Sequence, residues 1–493
     1  MKRVASGILP MIAVNRKAPK ALHQQIYDAY RAAIVGGSLR PGQRIPSTRV
    51  LASEICVSRF PVLNAYAQLL AEGYLESRVG AGTVIARSLP DQLTSSEPAG
   101  SAHAPTPSGP RPVASRCSIL PRVACLPWLQ SWGAFRVGQV AFDQFPVHAW
   151  SNLVSRRCRS IDAQAFHYGD PMGSMVLRET IASYLKTARS LHCEAEQVMI
   201  VGGSQQALEI SARVLLDPGN SVWVEQPGYR LARDVFALSD CHPVPVPVDK
   251  EGLDVAAGIK QCRNARAAFV TPSHQFPLGV TMSASRRLQL VDWAQNSGSW
   301  IIEDDYDSEF RYESLPIASL QGLDSNSRVI YIGTFSKVLF PSLRVGYIVI
   351  PSDLVERFHA IRRVMDLSPP RFYQEVLSDF IREGHFARHI RRMRVHYGEL
   401  RTALVANLRR ELGALVEVLG DEAGMHVTVT LQNGSRDLEI AERAARLNLS
   451  LWPLSPSYMG EAARQGFILG FGGTRVTEIP NAVRKLRNLL AMK

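Results

Sequence analysis

The 493-residue sequence lacks the features of several common protein classes. No apolar run approaches the roughly 18–20 residues that a membrane-spanning helix needs. The apolar stretch near the N terminus is short, is broken by Pro10 and has no convincing cleavage site after it, so it does not predict a signal peptide. The seven cysteines form no CxxC pair and no disulfide framework. The sequence therefore predicts a globular protein with free thiols in a reducing, cytoplasmic compartment, and no metal site.

Acidic residues are scarce at the start of the chain. The whole chain carries 56 Lys and Arg against 44 Asp and Glu, for a net charge of +12. Residues 1–87 hold twelve Lys and Arg but only four Asp and Glu, so most of the excess lies in less than a fifth of the chain. A basic module of this size indicates a polyanionic partner, although a solubilising surface has the same charge.

Composition divides the chain into three parts. Residues 88–118 are rich in Pro, Ser, Ala and Gly and have almost no large apolar side chains. Such a segment cannot offset the entropy cost of ordering by burying apolar surface. We therefore predict a compact module over residues 18–87, a flexible linker over residues 88–126 and a larger domain over residues 127–493.

The pattern of the first module predicts three helices and a hairpin. Apolar residues recur at helical spacing over residues 26–34, and Gly36 ends that helix. Ser47 can cap a second helix that runs to about Cys56, and a third helix follows a tight turn and ends at Gly73. The stretch YLESRVGAGTVIA then holds two short β-rich runs around glycines. This order of elements is typical of a winged helix-turn-helix.

The same stretch resembles the DNA-binding domain of GntR-type bacterial regulators. Their pattern is close to LPSxRxLAxxxGVSRxTVxxAYxxLxxEGYLxxxxGxGTxV, and the match here is long. The resemblance implies that Arg49, Ser58 and Arg59 contact double-stranded promoter DNA near the recognition helix. It also implies that Gly80 and Gly82 form the tip of the wing. The alternative for Arg59 is a solvated side chain.

Two positions depart from that pattern. Cys56 stands where the turn usually has glycine, and Phe-Pro at residues 60–61 replaces small hydroxyl residues at the start of the recognition helix. Proline is tolerated in the first turn of a helix, so we expect the fold to survive while the base preference differs. For Arg49, the alternative to a DNA contact is an ion pair with Glu54 or Glu72.

Beyond residue 127, short β-rich runs alternate with helical patterns. The runs QVMIVGG, SVWVEQP, AAFVTPS, WIIEDDY and RVIYIGT each end in a polar or Gly/Pro turn, and helical stretches such as SQQALEISARVLL lie between some of them. This alternation predicts a largely parallel sheet that binds ligands at the carboxyl ends of its strands. The predicted fold is multidomain, with a winged helix-turn-helix (α+β) followed by an α/β domain.

One lysine interrupts the apolar surroundings of GTFSKVLFPSLRVGY, residues 333–347. A lysine is a poor nucleophile unless burial or a nearby cation lowers its pKa, and the apolar flanks and Arg344 offer both. A neutral Lys337 can form a Schiff base with an aldehyde, of which pyridoxal phosphate is the best-known resident example. Either Lys337 is a solvated surface lysine or it carries this cofactor.

Residues at strand ends offer the remaining groups that pyridoxal phosphate needs. Asp304 follows an apolar run and can pair with the protonated pyridine nitrogen, while Tyr306, on the same strand face, can donate to the ring oxygen. Ser204 and Gln205 open a helix after two glycines, and the N–H groups of a helix N-terminus suit a phosphate. The alternative for Asp304 is a solvated acidic turn.

Three further residues complete this hypothetical site. Ser336 and Arg344 can finish the phosphate site, because the guanidinium offers a planar fork for phosphate oxygens. Tyr229 lies just past a strand, where its ring can stack on the pyridine. The alternative for Tyr229, a half-buried surface tyrosine, would be favoured if it stood alone.

Taken in order, these stretches resemble the fold-type I aminotransferase domain, and their fusion to a GntR-type winged helix resembles the MocR-type regulators. The resemblance covers about residues 18–87 and 127–493. It implies a head-to-tail homodimer in which Lys337 forms the Schiff base with pyridoxal 5′-phosphate and Tyr168 reaches the phosphate bound by the other subunit. His274 and Gln275 lie where transaminases keep a ring-contacting asparagine. The resemblance assigns cofactor contacts to Asp304, Tyr306, Tyr229, Ser204, Gln205, Ser336 and Arg344.

The arginine that binds the substrate carboxylate in transaminases has no counterpart in the matching strand. That stretch, FILGFGG at residues 467–473, has no arginine, and neither has PLSPSYM at residues 453–459, where related regulators often carry a replacement. Arg230, Arg233 and Arg443 are the possible substitutes. A buried carboxylate without a charged partner is costly, so binding of an ordinary amino acid is not expected to be productive.

These observations favour a pyridoxal-phosphate-dependent transcriptional regulator. Its second domain would sense pyridoxal phosphate, an amino acid or an amine as a small-molecule effector. The alternative is a working aminotransferase with an accessory DNA-binding head, and the missing arginine favours the regulator. A third hypothesis, a structural protein without a cofactor, requires six motifs in order to be coincidence.

Overall fold

The computed structural model describes residues 14–16, 18–78, 82–88, 112, 114–118, 127–130, 132–161, 166–312 and 318–491. The chain divides into two compact units, Met1–Pro112 and Val113–Lys493. Gly80 and most of the predicted linker lie outside the described residues, so the predicted domain boundaries stay predictions. In the described part of the chain, no helix is long and apolar enough to cross a membrane.

The first unit has the predicted order of elements. Three helices and a two-stranded hairpin enclose a small apolar core. Ser47 caps α2, since its side chain accepts a hydrogen bond from the N–H of Val50 at 3.4 Å. The winged helix-turn-helix is therefore confirmed. The bounds are Leu22–Val35 (α1), Thr48–Glu54 (α2), Arg59–Ala71 (α3), Leu75–Arg78 (β1) and Gly82–Ile85 (β2).

Cys56 adopts a backbone conformation that suits glycine. It lies in the turn between α2 and α3, is exposed and has a φ of 55°, in the left-handed region. This conformation brings the Cβ of an L-residue close to the following carbonyl oxygen, whereas glycine has no Cβ. The cysteine at the usual glycine position is accommodated, but with backbone strain.

The strain at Cys56 predicts that Cys56→Gly stabilises the first unit by about 1 kcal/mol, because a left-handed L-residue costs roughly 1–2 kcal/mol. The measurement is the thermal unfolding transition of this unit within the full chain. Cys56→Ala is the matched control, since it removes the thiol but keeps the Cβ and should leave the transition unchanged. Equal stabilisation by alanine and glycine would assign the effect to the thiol instead.

The second unit contains twelve strands among its described residues, and eight of them form one sheet. The five strands predicted from the sequence are β3, β4, β7, β8 and β9 below, and all five are confirmed. The bounds are Val198–Val201 (β3), Ser221–Gln226 (β4), His242–Asp249 (β5), Gly252–Leu253 (β6), Ala267–Val270 (β7), Trp300–Asp305 (β8), Val329–Thr334 (β9), Gly346–Val349 (β10), Val416–Leu419 (β11), His426–Leu431 (β12), Trp452–Pro453 (β13) and Gly466–Gly470 (β14).

The larger sheet has the strand order β3-β10-β9-β8-β7-β4-β5-β6. Strands β5, β4, β7, β8 and β9 run parallel to one another, while β10 is antiparallel to both β9 and β3. The sheet is thus largely parallel, as predicted, with antiparallel strands added. A smaller antiparallel sheet has the order β11-β12-β14-β13.

Strands β3, β4, β7, β8, β9 and β10 of the larger sheet are buried along most of their length, whereas β5 is buried only at Val246. Buried strands of this kind are near-continuous apolar runs because both faces pack against other elements. The helices are Pro127–Gln130 (α4), Val147–Arg159 (α5), Met175–Arg189 (α6), Ser204–Leu215 (α7), Arg230–Leu238 (α8), Val255–Gln261 (α9), Ala284–Ser297 (α10), Leu320–Leu323 (α11), Val355–Asp366 (α12), Arg371–Arg382 (α13), His385–Leu412 (α14), Asp437–Ala445 (α15) and Ile479–Ala491 (α16).

The parallel strands determine where polar groups gather. The carboxyl ends of β4, β7, β8 and β9 meet at one edge of the sheet, because these strands run in the same direction. Tyr229 follows β4, Thr271 follows β7, Asp304 lies near the end of β8 and Lys337 follows β9. These four residues therefore meet in space although they span more than a hundred residues of sequence.

Candidate functional site

A cavity of about 240 Å³ lies at the carboxyl ends of these strands. It is formed within the second unit, and eight of the nine residues predicted to hold the cofactor or form its Schiff base line it. The ninth, Tyr168, lies outside the cavity and is 85% exposed. The eight are Ser204, Gln205, Tyr229, Asp304, Tyr306, Ser336, Lys337 and Arg344.

Lys337 is a buried amine with neighbouring carboxylates. Burial lowers the pKa of Lys337 below its ordinary value, and the charges of Asp307 and Asp304 oppose that shift. Gly138 is the close neighbour on the other side, where an added Cβ would lie 2.6 Å from the lysine Nζ. The cavity therefore holds an amine that is easier to deprotonate than a surface lysine, and a side chain at residue 138 would have to displace it.

Asp304 is the buried acid of the cavity. Burial raises the pKa of Asp304 to about 7, with a further rise from Asp305 and an opposing effect of Lys337. Its Oδ1 is buried and has no hydrogen-bond partner among the described residues. A buried carboxylate oxygen without a donor is costly, so this atom is suited to a ligand that brings a proton or a positive charge.

A second corner of the cavity suits an anion. Gly203 precedes α7 with a φ of +115°, and a Cβ there would lie 3.3 Å from the guanidinium nitrogens of Arg344. Ser336 contributes a buried Oγ that has no partner in the described part of the chain. The N-terminus of α7, a guanidinium and a free hydroxyl thus converge, and each favours phosphate oxygens.

Tyr229 forms one wall of the cavity. Gln205 Nε2 donates a hydrogen bond to its hydroxyl oxygen at 3.1 Å. The ring of Phe276 packs edge-on against the Tyr229 ring, with centroids 5.6 Å apart and an interplanar angle of 83°. Burial raises the pKa of Tyr229 to about 12, so the phenol stays protonated. The ring is therefore held in place, as a stacking residue requires.

The hydroxyl of Tyr306 takes part in a buried network behind the cavity. It donates to the backbone oxygen of His274 at 2.8 Å and lies 3.2 Å from His274 Nδ1. The same Nδ1 is 3.2 Å from Asp307 Oδ2, which also accepts the N–H of Met425 at 3.1 Å. The predicted contact of Tyr306 with a ring oxygen stays a prediction, since in this structure its hydroxyl proton is directed at a backbone carbonyl.

Sequence reasoning missed several residues of the cavity. Phe276, rather than His274 or Gln275, lines it, and Asp307 faces it from the turn after β8. His426 on β12 and Trp452 on β13 line it from the smaller sheet. The local signals were the acidic run that contains Asp307 and, for Phe276, the neighbouring pair His274 and Gln275, whereas His426 and Trp452 come from stretches without a recognisable motif.

His426 is an uncharged member of the wall. Burial and the neighbouring His274 lower the pKa of His426 to about 3. His426, His274 and Asp307 place their ligand atoms within 4.8 Å of one another, a grouping that the sequence spacing did not predict. At neutral pH the far wall of the cavity therefore carries no positive charge from histidine.

The arginines suggested as substitutes for the carboxylate-binding arginine have other partners or lie elsewhere. Arg230 lies 3.6 Å from the Asp234 carboxylate, and Arg233 donates to the backbone oxygen of Pro456 at 2.9 Å. Arg443 lies on α15 and does not line the cavity. Of the described residues that line the cavity, Arg344 is the only arginine.

The predicted DNA-contacting residues lie on the surface of the first unit. Arg49 on α2 and Arg59 at the start of α3 are exposed, and Arg59 Nε donates to Thr48 Oγ1 at 3.1 Å. Ser58 precedes α3 and is also exposed. Within the described residues, Arg49 forms no ion pair with Glu54 or Glu72, and Glu72 instead accepts from the hydroxyl of Tyr27 and from Gln68. The basic face is thus available to a polyanion.

Comparison with known families matches both units. Residues 22–85 match the bacterial regulatory proteins of the gntR family, and residues 134–449 match aminotransferase class I and II. The chain is 38% identical to the probable rhizopine catabolism regulatory protein MocR of Rhizobium meliloti, over 97% of this chain and 95% of that protein. It is 30% identical to the pyridoxine biosynthesis transcriptional regulator PdxR of Corynebacterium glutamicum, over 94% of each.

This chain belongs to the MocR-type transcriptional regulators of the GntR family. The second unit is also similar to solved structures of aminotransferases. An archaeal alanine:glyoxylate aminotransferase superposes with a TM-score of 0.72 at 26% identity, covering 77% of this chain and 98% of that one. The kynurenine aminotransferase of Pyrococcus horikoshii, solved with PMP, gives 0.68 at 27% identity, over 73% and 91%. The second unit of this MocR-type regulator has the fold-type I aminotransferase fold.

Membership of this family implies DNA binding and pyridoxal phosphate. The residues that line the cavity suit that cofactor independently of the family comparison. Asp304 Oδ1 lacks a partner, as an acid that is to pair with a pyridine nitrogen should, and Ser336 Oγ lacks one in the same cavity as Arg344, as donors to a phosphate should. Lys337 is the buried amine that lines this cavity.

The buried Asp304 predicts a pH dependence of stability. Its folded pKa of about 7 lies above the roughly 3.9 of an unfolded chain, so the folded state binds more protons between those values. We expect Asp304 to reduce the free energy of unfolding of the cofactor-free protein as the pH rises through that window.

Denaturant unfolding of cofactor-free protein between about pH 5 and about pH 8 measures this effect. Asp304→Asn should lose the contribution, so that the mutant gains stability relative to wild type as the pH rises. The exposed Asp292 provides the control, since Asp292→Asn should run parallel to wild type. Parallel curves for Asp304→Asn would contradict the burial argument.

Proposed function

We propose that this regulator binds pyridoxal 5′-phosphate in the cavity and uses it to sense a small molecule. The observation that carries the proposal is the pairing of Lys337, a buried amine of lowered pKa, with Asp304, a buried acid whose Oδ1 has no partner in the described residues. Structural ion pairs explain perturbed groups of this kind elsewhere, but an unpartnered acid oxygen calls for a ligand.

Different residues of the cavity would hold different parts of the cofactor. Lys337 would bind it covalently, and Asp304 would hold a proton on its pyridine nitrogen. Tyr229 would cover one ring face, and the phosphate would lie against Ser336 and Arg344. Ser204 and Gln205 at the start of α7 would complete the phosphate site, and Tyr306 would contact the ring oxygen. When bound, the cofactor supplies an aldehyde that captures primary amines.

Sensing is favoured over completed transamination. A transaminase must hold the carboxylate of each amino acid that it turns over, and the described wall of the cavity offers no arginine besides the one beside Gly203. The alternative, an active aminotransferase with an accessory DNA-binding head, draws support from the same Lys337 and Asp304. It requires a carboxylate site that these residues do not form.

The regulatory output is DNA binding by the first unit. We infer that Arg49, Ser58 and Arg59 contact double-stranded promoter DNA in the cytoplasm, with Gly80 at the wing tip. We also infer a head-to-tail homodimer with two DNA-binding heads, in which the exposed Tyr168 reaches the phosphate bound by the other subunit. The effector alters DNA binding only if it binds two states of the dimer with different affinity.

Lys337→Ala should abolish the Schiff-base absorbance band of the bound cofactor while leaving the fold intact. The reason is that this band, unlike the absorbance of the free aldehyde, depends on a covalent bond that only an amine can form. Spectra and thermal unfolding of purified protein supplied with pyridoxal phosphate test this. Lys186→Ala is the control, because Lys186 forms an ion pair with Glu194 at 2.8 Å on the surface. An unchanged spectrum in Lys337→Ala would contradict the assignment of Lys337 as the residue that binds the cofactor covalently.

Arg59→Ala should weaken DNA binding by about 1–3 kcal/mol, roughly 5- to 150-fold in Kd, because it removes a cation at the start of the recognition helix. The measurement is a salt titration of affinity for a duplex selected from a random library with the wild-type protein. Arg213→Ala removes the same charge from an exposed side chain of the second unit and is the control. Equal affinities for Arg59→Ala and wild type would argue against this placement of α3.

A further inference from the structure

We propose that the effector of this regulator is a small primary amine that carries no carboxylate. This inference rests on the proposed function, since the amine would be captured through the cofactor. It goes further by selecting amines over amino acids. The basis is the distribution of charge around the cavity rather than its overall shape.

The two cations that line the described cavity are both committed. Lys337 is needed for the cofactor itself. Arg344 is held at the phosphate corner, where its guanidinium lies so close to the N-terminus of α7 that a Cβ on Gly203 would be 3.3 Å away. Neither cation is left for a substrate carboxylate.

No other described arginine reaches the cavity wall. Arg230 pairs with Asp234, and Arg233 donates to the backbone oxygen of Pro456 through Nη2 while its buried Nη1 has no partner among the described residues. Neither arginine lines the cavity. Arg475, which follows β14, points to solvent with an 81% exposed side chain near Glu478. The strand that carries the carboxylate-binding arginine in transaminases therefore offers no replacement within the part of the chain that the structure describes.

The groups that do face the remaining space disfavour an anion. Asp307 brings a second carboxylate, and His426 is neutral because burial lowers its pKa to about 3. Trp452 and Phe276 add aromatic surface. A carboxylate placed here would lose its water without gaining a cation and would meet the charge of Asp307, which is costly on both counts. Amino, hydroxyl and apolar groups suffer neither penalty.

The size of the cavity restricts the amine as well. Its volume of about 240 Å³ lies below the roughly 300–1,000 Å³ of typical ligand pockets, and it must also hold the cofactor. The amine must therefore be small. Aromatic surface from Trp452 and polar atoms of Asp307 and His426 suit an aryl amine or an amino alcohol.

Matched pairs that differ only by a carboxylate test the proposal. The full-length protein, loaded with pyridoxal phosphate, is titrated with 2-phenylethylamine against L-phenylalanine, and with ethanolamine against L-serine. The readouts are the shift of the cofactor absorbance and the affinity for the selected duplex. We expect at least one amine to shift the band at a concentration at least tenfold below that of its amino acid.

The outcomes separate this inference from the proposed function. Absence of any cofactor band overturns the proposed function itself. A band that the amino acids shift as readily as the amines, or that neither amine shifts, leaves cofactor binding intact and overturns the amine inference.

A variant that adds a cation to the cavity wall tests whether the missing cation causes the preference for amines. Trp452→Arg places a cation on the cavity wall and should move the preference toward the amino acid of each pair at least tenfold. Trp452→Leu removes the ring without adding charge and should not. An unchanged preference in a folded, cofactor-loaded Trp452→Arg protein counts against the missing cation as the basis of selectivity.

Discussion

The burial of one amine is the constraint on which the second unit depends. Lys337 lines a cavity in which burial disfavours its charge, and the charges of Asp307 and Asp304 oppose that effect. Burial likewise disfavours the charged form of Asp304 and raises its pKa. Such a group of mutually dependent ionisable residues is costly to a folded protein, and a ligand that pairs with them offsets the cost. The parallel sheet brings the group together because its strands end at one edge.

The same geometry explains how an aminotransferase fold can serve a regulator. The half of the cavity that we propose to hold the cofactor has an amine, an acid, an aromatic ring and a corner suited to phosphate. The half beyond it has Asp307, a neutral His426 and aromatic surface in place of a cation. Capture of an amine thus needs only the first half, whereas turnover of amino acids needs both. A site that binds without turning over its ligand can shift a conformational equilibrium.

Local signals predicted most of the elements, and one strand shows why the rest escaped. Ser47 caps α2 as predicted, and the five apolar runs are strands, because capping and β-rich composition act over a few residues. The strand His242–Asp249 was missed, since it contains Pro243, Pro245 and Pro247. Proline has no N–H to donate to a neighbouring strand, so it is tolerated where its nitrogen does not face one. These three prolines occupy alternate positions, and their backbone nitrogens face away from β4, on the side where Pro247 O accepts the N–H of Asp254 at 2.8 Å.

The residues of the site also divide into those that local sequence predicts and those that it does not. The residues predicted from strand ends line one cavity because motif and strand end coincide in sequence, as with Lys337 and Asp304. His426 and Trp452 come from the smaller sheet, and their place opposite Lys337 depends on how the two sheets of the second unit pack. No short stretch of sequence encodes that packing. Motifs therefore predicted the family that implies pyridoxal phosphate, whereas the proposal for the effector rests on residues that only the structure brings to the cavity.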